Sequence, residues 1–184
     1  MKLSLIIEAL REISQSFGGR VGGAAEFKAI DNVSQMQAPA AYVVPTGDNA
    51  GEQKSQTDYD QLVTEGFAVI VALDNRADQR GQNAYDSVND IRAEIWAALL
   101  GWEVDENTYP IKYEGGQVIS INRELLYYQF DFSAVREVSD VDTRHGADLS
   151  KLPPLKTVMI DFDYASPGGG PDGEIEHHEE IHFP

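Results

Sequence analysis

The chain has 184 residues, no cysteine, and 31 Asp plus Glu against 14 Lys plus Arg, for a formal net charge of −17. That length suits one main domain with an appendage and is enough to bury a real core. The acidic balance argues against gripping nucleic-acid phosphates or an anionic membrane, and the missing thiols exclude disulfides and thiolate metal sites.

At the N-terminus, Leu3, Ile6, Ile7, Leu10, Ile13 and Phe17 form one helical stripe, with Gly18-Gly19 as its stop. Charges at Glu8, Arg11 and Glu12 interrupt the apolar run and no small-residue cleavage site closes it, so the segment reads as a helix rather than a signal sequence. No stretch approaches the roughly 20 apolar residues of a bilayer span. The expectation is a soluble protein, cytoplasmic in a host cell. Gly18 to Gly23 is glycine-rich but lacks the Gly-Lys-Ser/Thr ending of a phosphate loop, and it is not expected to run from a strand into a helix. It reads as a flexible turn before a short strand around Phe27 to Ile30. A further strand is predicted over Ala40 to Val44, ended by Pro45. Thr46 to Asp58 contains no large apolar residue and is predicted to be an exposed, mobile loop available to a partner.

Glu65 to Asp74 has a β-branched and aromatic centre bounded by Gly66 and Asp74-Asn75, the pattern of a buried strand. After the charged connection Arg76 to Gly81, apolar residues recur at Tyr85, Val88, Ile91, Ile95, Ala98, Leu99 and Trp102. That spacing predicts a helix with Arg92 and Glu94 on its wetter side and Gly101 at its C-cap. A second pair of strands follows, one of them Leu125 to Phe132 with Tyr128, Phe130 and Phe132 on one face.

Beyond Val138 the pattern changes to a polar linker, Ser139 to Ser150, and the stiff Leu152-Pro153-Pro154. Thr157 to Tyr164 alternates with Val158, Ile160, Phe162 and Tyr164 on one face, and Glu174 to Phe183 with Ile175, His177, Glu179, Ile181 and Phe183 on one face. The turn-rich Ser166 to Gly173 between them predicts a hairpin. An isolated hairpin is marginal in water, so this one is expected to dock on its own domain or to pair with a neighbouring subunit, with the neighbour or a sheet edge favoured.

The search for chemistry returns little. His177, His178 and His182 with Glu176, Glu179 and Glu180 suggest a metal cluster. As a strand, however, the segment brings only His178 and His182 to one face, which makes an adventitious site rather than a structural one. Asp161 and Asp163 share a strand face at i, i+2, which would suit a hard cation but is explained by an exposed hairpin. His145 lies in the polar Asp142 to Gly146 and reads as solvated; Gly-x-Ser-x-Gly is absent. Trp96, Trp102, Tyr127 and Tyr128 would need a positive groove to stack bases, and only Arg76, Arg80 and Arg92 gather near the helix. No catalytic residue, metal site or cofactor is predicted.

Tyr42-Val43-Val44-Pro45 before a polar loop, the strand Gly66 to Leu73, the helix with Ile91-Arg92 and Ile95 to Trp102, and Leu126 to Phe132 resemble the tail-terminator proteins of long-tailed bacteriophages. The resemblance covers roughly the first three quarters of the chain. It implies an α/β (α+β) fold: a mixed, mainly antiparallel sheet packed against two helices, here with a C-terminal β-hairpin appendage. The expected organisation is a compact domain over 1–138, a linker over 139–156 and the hairpin over 157–184. The resemblance also implies a non-enzymatic virion protein whose six copies form a ring that caps the head-proximal end of the tail tube, stops tube growth and docks the head or neck. Expected partners are further copies of the chain, the tube protein and a neck or head-completion protein, with the sheath protein as a further candidate. DNA would pass through the lumen without specific binding. Candidate partner-binding residues are Asp48, Asn49, Glu52 and Lys54 in the loop, with Arg76, Asp78 and Arg80 in the charged connection. Val158, Ile160, Phe162, Ile175, Ile181 and Phe183 are the candidate subunit-docking residues of the hairpin. The alternatives are another neck or head-completion connector and, more remotely, a small metal-dependent hydrolase.

Overall fold

The computed structural model describes residues 1–28, 37–76, 83–164, 171 and 173–183. It divides into two compact units, Met1–Asp140 and Val141–Pro184.

The first unit opens with α1 (Leu3–Ile13), which buries Ile6 and Leu10. Ser14 leaves the helix in an extended conformation, and a short 3-10 turn, Gln15–Phe17, buries Phe17 before Gly18 turns left-handed at φ +52°. The predicted stripe is thus completed by Phe17, while Ile13, at the helix end, is 45% exposed. β1 (Val21–Gly23) then runs directly into α2 (Ala24–Lys28), which corrects two expectations. The glycine run does feed a strand and a helix, and Phe27-Lys28 is helical rather than extended; residues 29 and 30 lie outside the described residues. Ala24, Ala25, Glu26 and Lys28 are good helix formers, and no β-branched residue interrupts them. The Glu26 carboxylate lies against Gly22, where a Cβ would stand 2.4 Å from its oxygen, so the run faces a negative charge.

The main sheet has the order β1-β2-β3-β5-β4, with only β1 and β2 (Ala40–Ala50) parallel. β3 (Asp60–Asp74) and β5 (Leu125–Ser139) are long central strands paired along their whole length, and β4 (Lys112–Ile121) forms one edge. Alternation sends Val43, Val69 and Phe130 to one face in register, with Ala41, Val71 and Tyr128 beside them. Phe67 stacks on Phe132 at a centroid distance of 5.4 Å. Onto this face pack α1 and α3 (Asn83–Leu99), whose Val88, Ile91, Ile95, Ala98 and Leu99 are buried in the same core. The predicted stripe of α3 is therefore its core face, apart from Tyr85, whose side chain lies outside the described residues. Gly101 follows the helix at φ +77°, the left-handed conformation that ends it.

Pro45 does not end β2. It sits opposite Phe67, the register shifts between Pro45 and Gly47, and Gly47 takes φ +135°. A bulge is where a ladder tolerates a residue without an N–H donor, so the strand runs on to Ala50. The predicted loop accordingly shrinks to residues 51–59. β4 carries two register shifts, at Tyr113/Gly115 and Val118/Ser120, which scramble its alternation. Gly116 must remain small, since a Cβ there would meet the Tyr113 hydroxyl and the Tyr128 ring at 2.7 Å.

In the second unit, the segment read as a polar linker contains α4 (Arg144–Leu149). Thr143 caps it by accepting a hydrogen bond from the Gly146 N–H at 3.3 Å. His145 is exposed on this helix. β6 (Thr157–Phe162) and β7 (His177–His182) form an antiparallel pair with Val158 opposite Ile181, Ile160 opposite Glu179 and Phe162 opposite His177. The two predicted faces thus coincide. Of the connecting turn, residues 166–170 and 172 lie outside the described residues.

Candidate assembly surfaces

The partner-binding candidates fall into two groups. Asp48 and Asn49 are exposed on the distal part of β2, paired with Glu65 and Thr64 of β3, and Glu52 and Lys54 stand in the exposed tip that joins the strands. The tip has no apolar anchor and is held by its own polar groups. The Gly51 N–H donates to the Leu62 carbonyl at 2.8 Å, the Lys54 N–H to the Asp60 carbonyl at 2.9 Å, and the Asp58 N–H to Ser55 Oγ at 3.0 Å. Gln61 Nε2 adds a bond to the Gly51 carbonyl at 2.8 Å. Just inside this arm, the Met1 ammonium donates to both carboxylate oxygens of Glu65 at 2.5 and 2.6 Å.

Arg76 lies at the other end of β3. Its guanidinium meets Asp74 at 2.9 Å, and hydrogen bonds from its side chain and backbone N–H hold the Asp74 carboxyl below the usual carboxylate range. Fourteen residue steps separate Asp60 from Asp74, about 48 Å of strand at roughly 3.4 Å per residue. The structure therefore does not bring Arg76 to the tip residues. Asp78 and Arg80 lie outside the described residues.

Neither Arg92 nor Glu94 projects freely into water as the helix pattern suggested. The Arg92 guanidinium lies 5.9 Å from the ring centroids of both Trp96 and Phe130, a cation–π arrangement in which the long stem covers apolar surface. Glu94 accepts the Ser16 N–H at 3.1 Å and the Ser16 hydroxyl, so it fastens the turn after α1 to α3. Trp96 meets Tyr113 edge-on at 5.2 Å, and burial raises the Tyr113 hydroxyl pKa above its ordinary value.

An apolar edge went unrecognised in the sequence. Val118, Ile119 and Ile121 of β4 are 41%, 48% and 59% exposed. The cluster Val118-Ile119-Ser120-Ile121 is its sequence signal, and the bulges hide the period that would fix the bounds of this strand.

On the hairpin, His178 pairs with Asp161 through Nδ1, and His182 lies 3.7 Å from Glu180 and 3.2 Å from the Thr157 hydroxyl. Asp163 instead accepts the Gly173 N–H at 2.8 Å, so the two aspartates serve different ends. Among the described residues, no three metal-ligating side chains gather. The docking candidates Ile175, Ile181 and Phe183 are 56%, 39% and 46% exposed, while Val158, Ile160 and Phe162 are partly covered.

A family model described as phage tail terminator protein matches residues 1–140, the same bounds as the first compact unit. No curated protein matches the chain. Among solved structures, a chain from the virion of a native gene transfer agent particle is similar at 14% identity and a TM-score of 0.46, covering 72% of this chain and 92% of that one.

Proposed function

We propose that this chain, which belongs to the phage tail terminator family, acts by closing into a ring on the head-proximal end of the tail tube. The ring stops tube polymerisation and presents a docking surface to the neck or head. The family match over the whole first unit carries the reading. Its mechanism is binding, not chemistry, and it works in the virion after assembly in the host cytoplasm. Six copies form the ring, held by a heterologous contact that closes at a fixed rotation. The net charge of −17 suits a ring through which DNA slides, since like charge keeps the duplex off the wall. Mass measurement of the protein released from tails tests the ring: six copies are expected, and a twofold dimer as the only assembled species would sink it. Capping of a neck complex without capping of tubes would reassign the chain to another connector.

The two polar groups at opposite ends of β3 suit a ring with two working faces. Asp48, Asn49, Glu52 and Lys54 meet the tube, and the Arg76 end meets the neck or, in a contractile tail, the sheath. Replacing residues 52–57 by a two-residue turn is expected to leave the melting temperature within about 3 °C, because the tip buries nothing in the core, while tube capping weakens at least tenfold. Asn49 and Ala50 must stay, since they pair with Thr64 and Val63. A large fall in melting temperature with capping preserved would make the tip structural.

A further inference from the structure

We propose that the free edge of β4, from Val118 to Ile121, accepts the terminal hairpin of a second copy, with β7 adding to the five-stranded sheet as a sixth strand. This rests on the reading that copies assemble, and it names the two surfaces that meet. Among the described residues, β4 pairs with β5 on one side only, so its other side is a sheet edge. From Gly115 to Ile121 it carries neither a proline nor a charged residue, the devices that commonly blunt an edge. The opposite edge, β1, spans only three residues and cannot hold a six-residue strand. The second bulge leaves Ile119 without a β5 partner, and Val118, Ile119 and Ile121 are all open to solvent.

The donor has the matching deficiency. β6 and β7 form a two-stranded sheet, every residue of β7 is exposed, and such a pair is marginal unless it joins something larger. Ile181 and Phe183 supply the apolar side chains for the acceptor edge.

Charge selects the same pairing. Thr157 to Pro184 contains seven Asp and Glu and no Lys or Arg. On a chain of net charge −17 most surfaces repel such a segment, but Lys112 to Glu124 is balanced, with Lys112 and Arg123 against Glu114 and Glu124. Donor and acceptor are different surfaces of one chain, so each copy gives its hairpin to the next and receives one from the last. That is the head-to-tail contact a closed ring requires.

The absence of cysteine makes the test clean. Three double variants combine Ile181→Cys with Val118→Cys, Ile119→Cys or Ile121→Cys, and each full chain is assembled on tail tubes and mildly oxidised. At least one is expected to give a ladder of covalent multimers that collapses on reduction, while the single-cysteine controls go no further than dimers. Monomer alone in all three, or a link within one chain, would overturn the pairing. Electron microscopy of the same samples separates the two readings: rings without a ladder sink the docking and leave the ring, whereas a ladder without rings upholds the docking and sinks the ring.

Discussion

Phe130→Ala is expected to destabilise the first unit by about 3 to 5 kcal/mol, the range for emptying a buried aromatic site. Phe130 is fully buried on β5, where it stands opposite Val69 of β3 and Gly116 of β4. Its ring lies 4.7 Å from that of Tyr128 and 6.5 Å from that of Tyr113, with the Arg92 guanidinium 5.9 Å away. The hole cannot refill cheaply. Strands on both sides are locked by their ladders, Gly116 has no side chain to swing in, and Arg92 would be left over a void. Small domains have about 5 to 15 kcal/mol in all, so the loss is a large share of the total. Urea unfolding should show it as a lower midpoint at unchanged slope. A shift below about 1 kcal/mol would mean that the aromatic cluster collapses into the space and is not the jigsaw it looks like.

What could be read in the sequence follows the strength of each period. α1 and α3 declared themselves because Ile6, Leu10, Val88, Ile91, Ile95 and Leu99 recur at helical spacing and all are buried. The centres of β3 and β5 declared themselves through Phe67 to Leu73 and Leu125 to Phe132, and the apolar faces of the terminal hairpin came out in register. Strand length was misjudged wherever the apolar signal faded. β3 begins at Asp60 and β5 reaches Ser139 because the strands shield each other there by pairing rather than by burial. Pro45 misled for a local reason, since a bulge removes the need for its missing N–H. β4 is expected only as the unplaced member of the second pair of strands, because two bulges and paired glycines erase its alternation. Composition says nothing of distance, so only the fold shows that Arg76 stands at the end of β3 opposite the tip that carries Glu52 and Lys54. The edge at Val118 to Ile121 needed the fold as well, because exposure of an apolar cluster depends on what the neighbouring strand leaves uncovered.

Ending the chain at Asp140 is expected to leave a folded unit that assembles about a hundredfold less well. The cut belongs after Asp140, not Val138, because Ser139 still pairs with Asp60. All five strands of the main sheet and the first three α-helices lie on the retained side, with every residue of the buried core. The melting temperature of the shortened chain should therefore stay close to that of the first unit in the full protein. Assembly is a separate matter. Fully burying an Ile or Phe side chain is worth about 1.5 to 3 kcal/mol, and Ile175, Ile181 and Phe183 each keep about half of their surface open in the single chain, at 56%, 39% and 46%. Recovering half of that burial at a subunit contact amounts to about 3 kcal/mol, and each 1.4 kcal/mol is a factor of ten in affinity. Circular dichroism gives the first half of the test and the protein concentration needed to cap tubes gives the second. A shortened chain that caps tubes as well as the full one would show the hairpin to be dispensable for assembly, and an unfolded one would show that residues 1–140 do not stand alone.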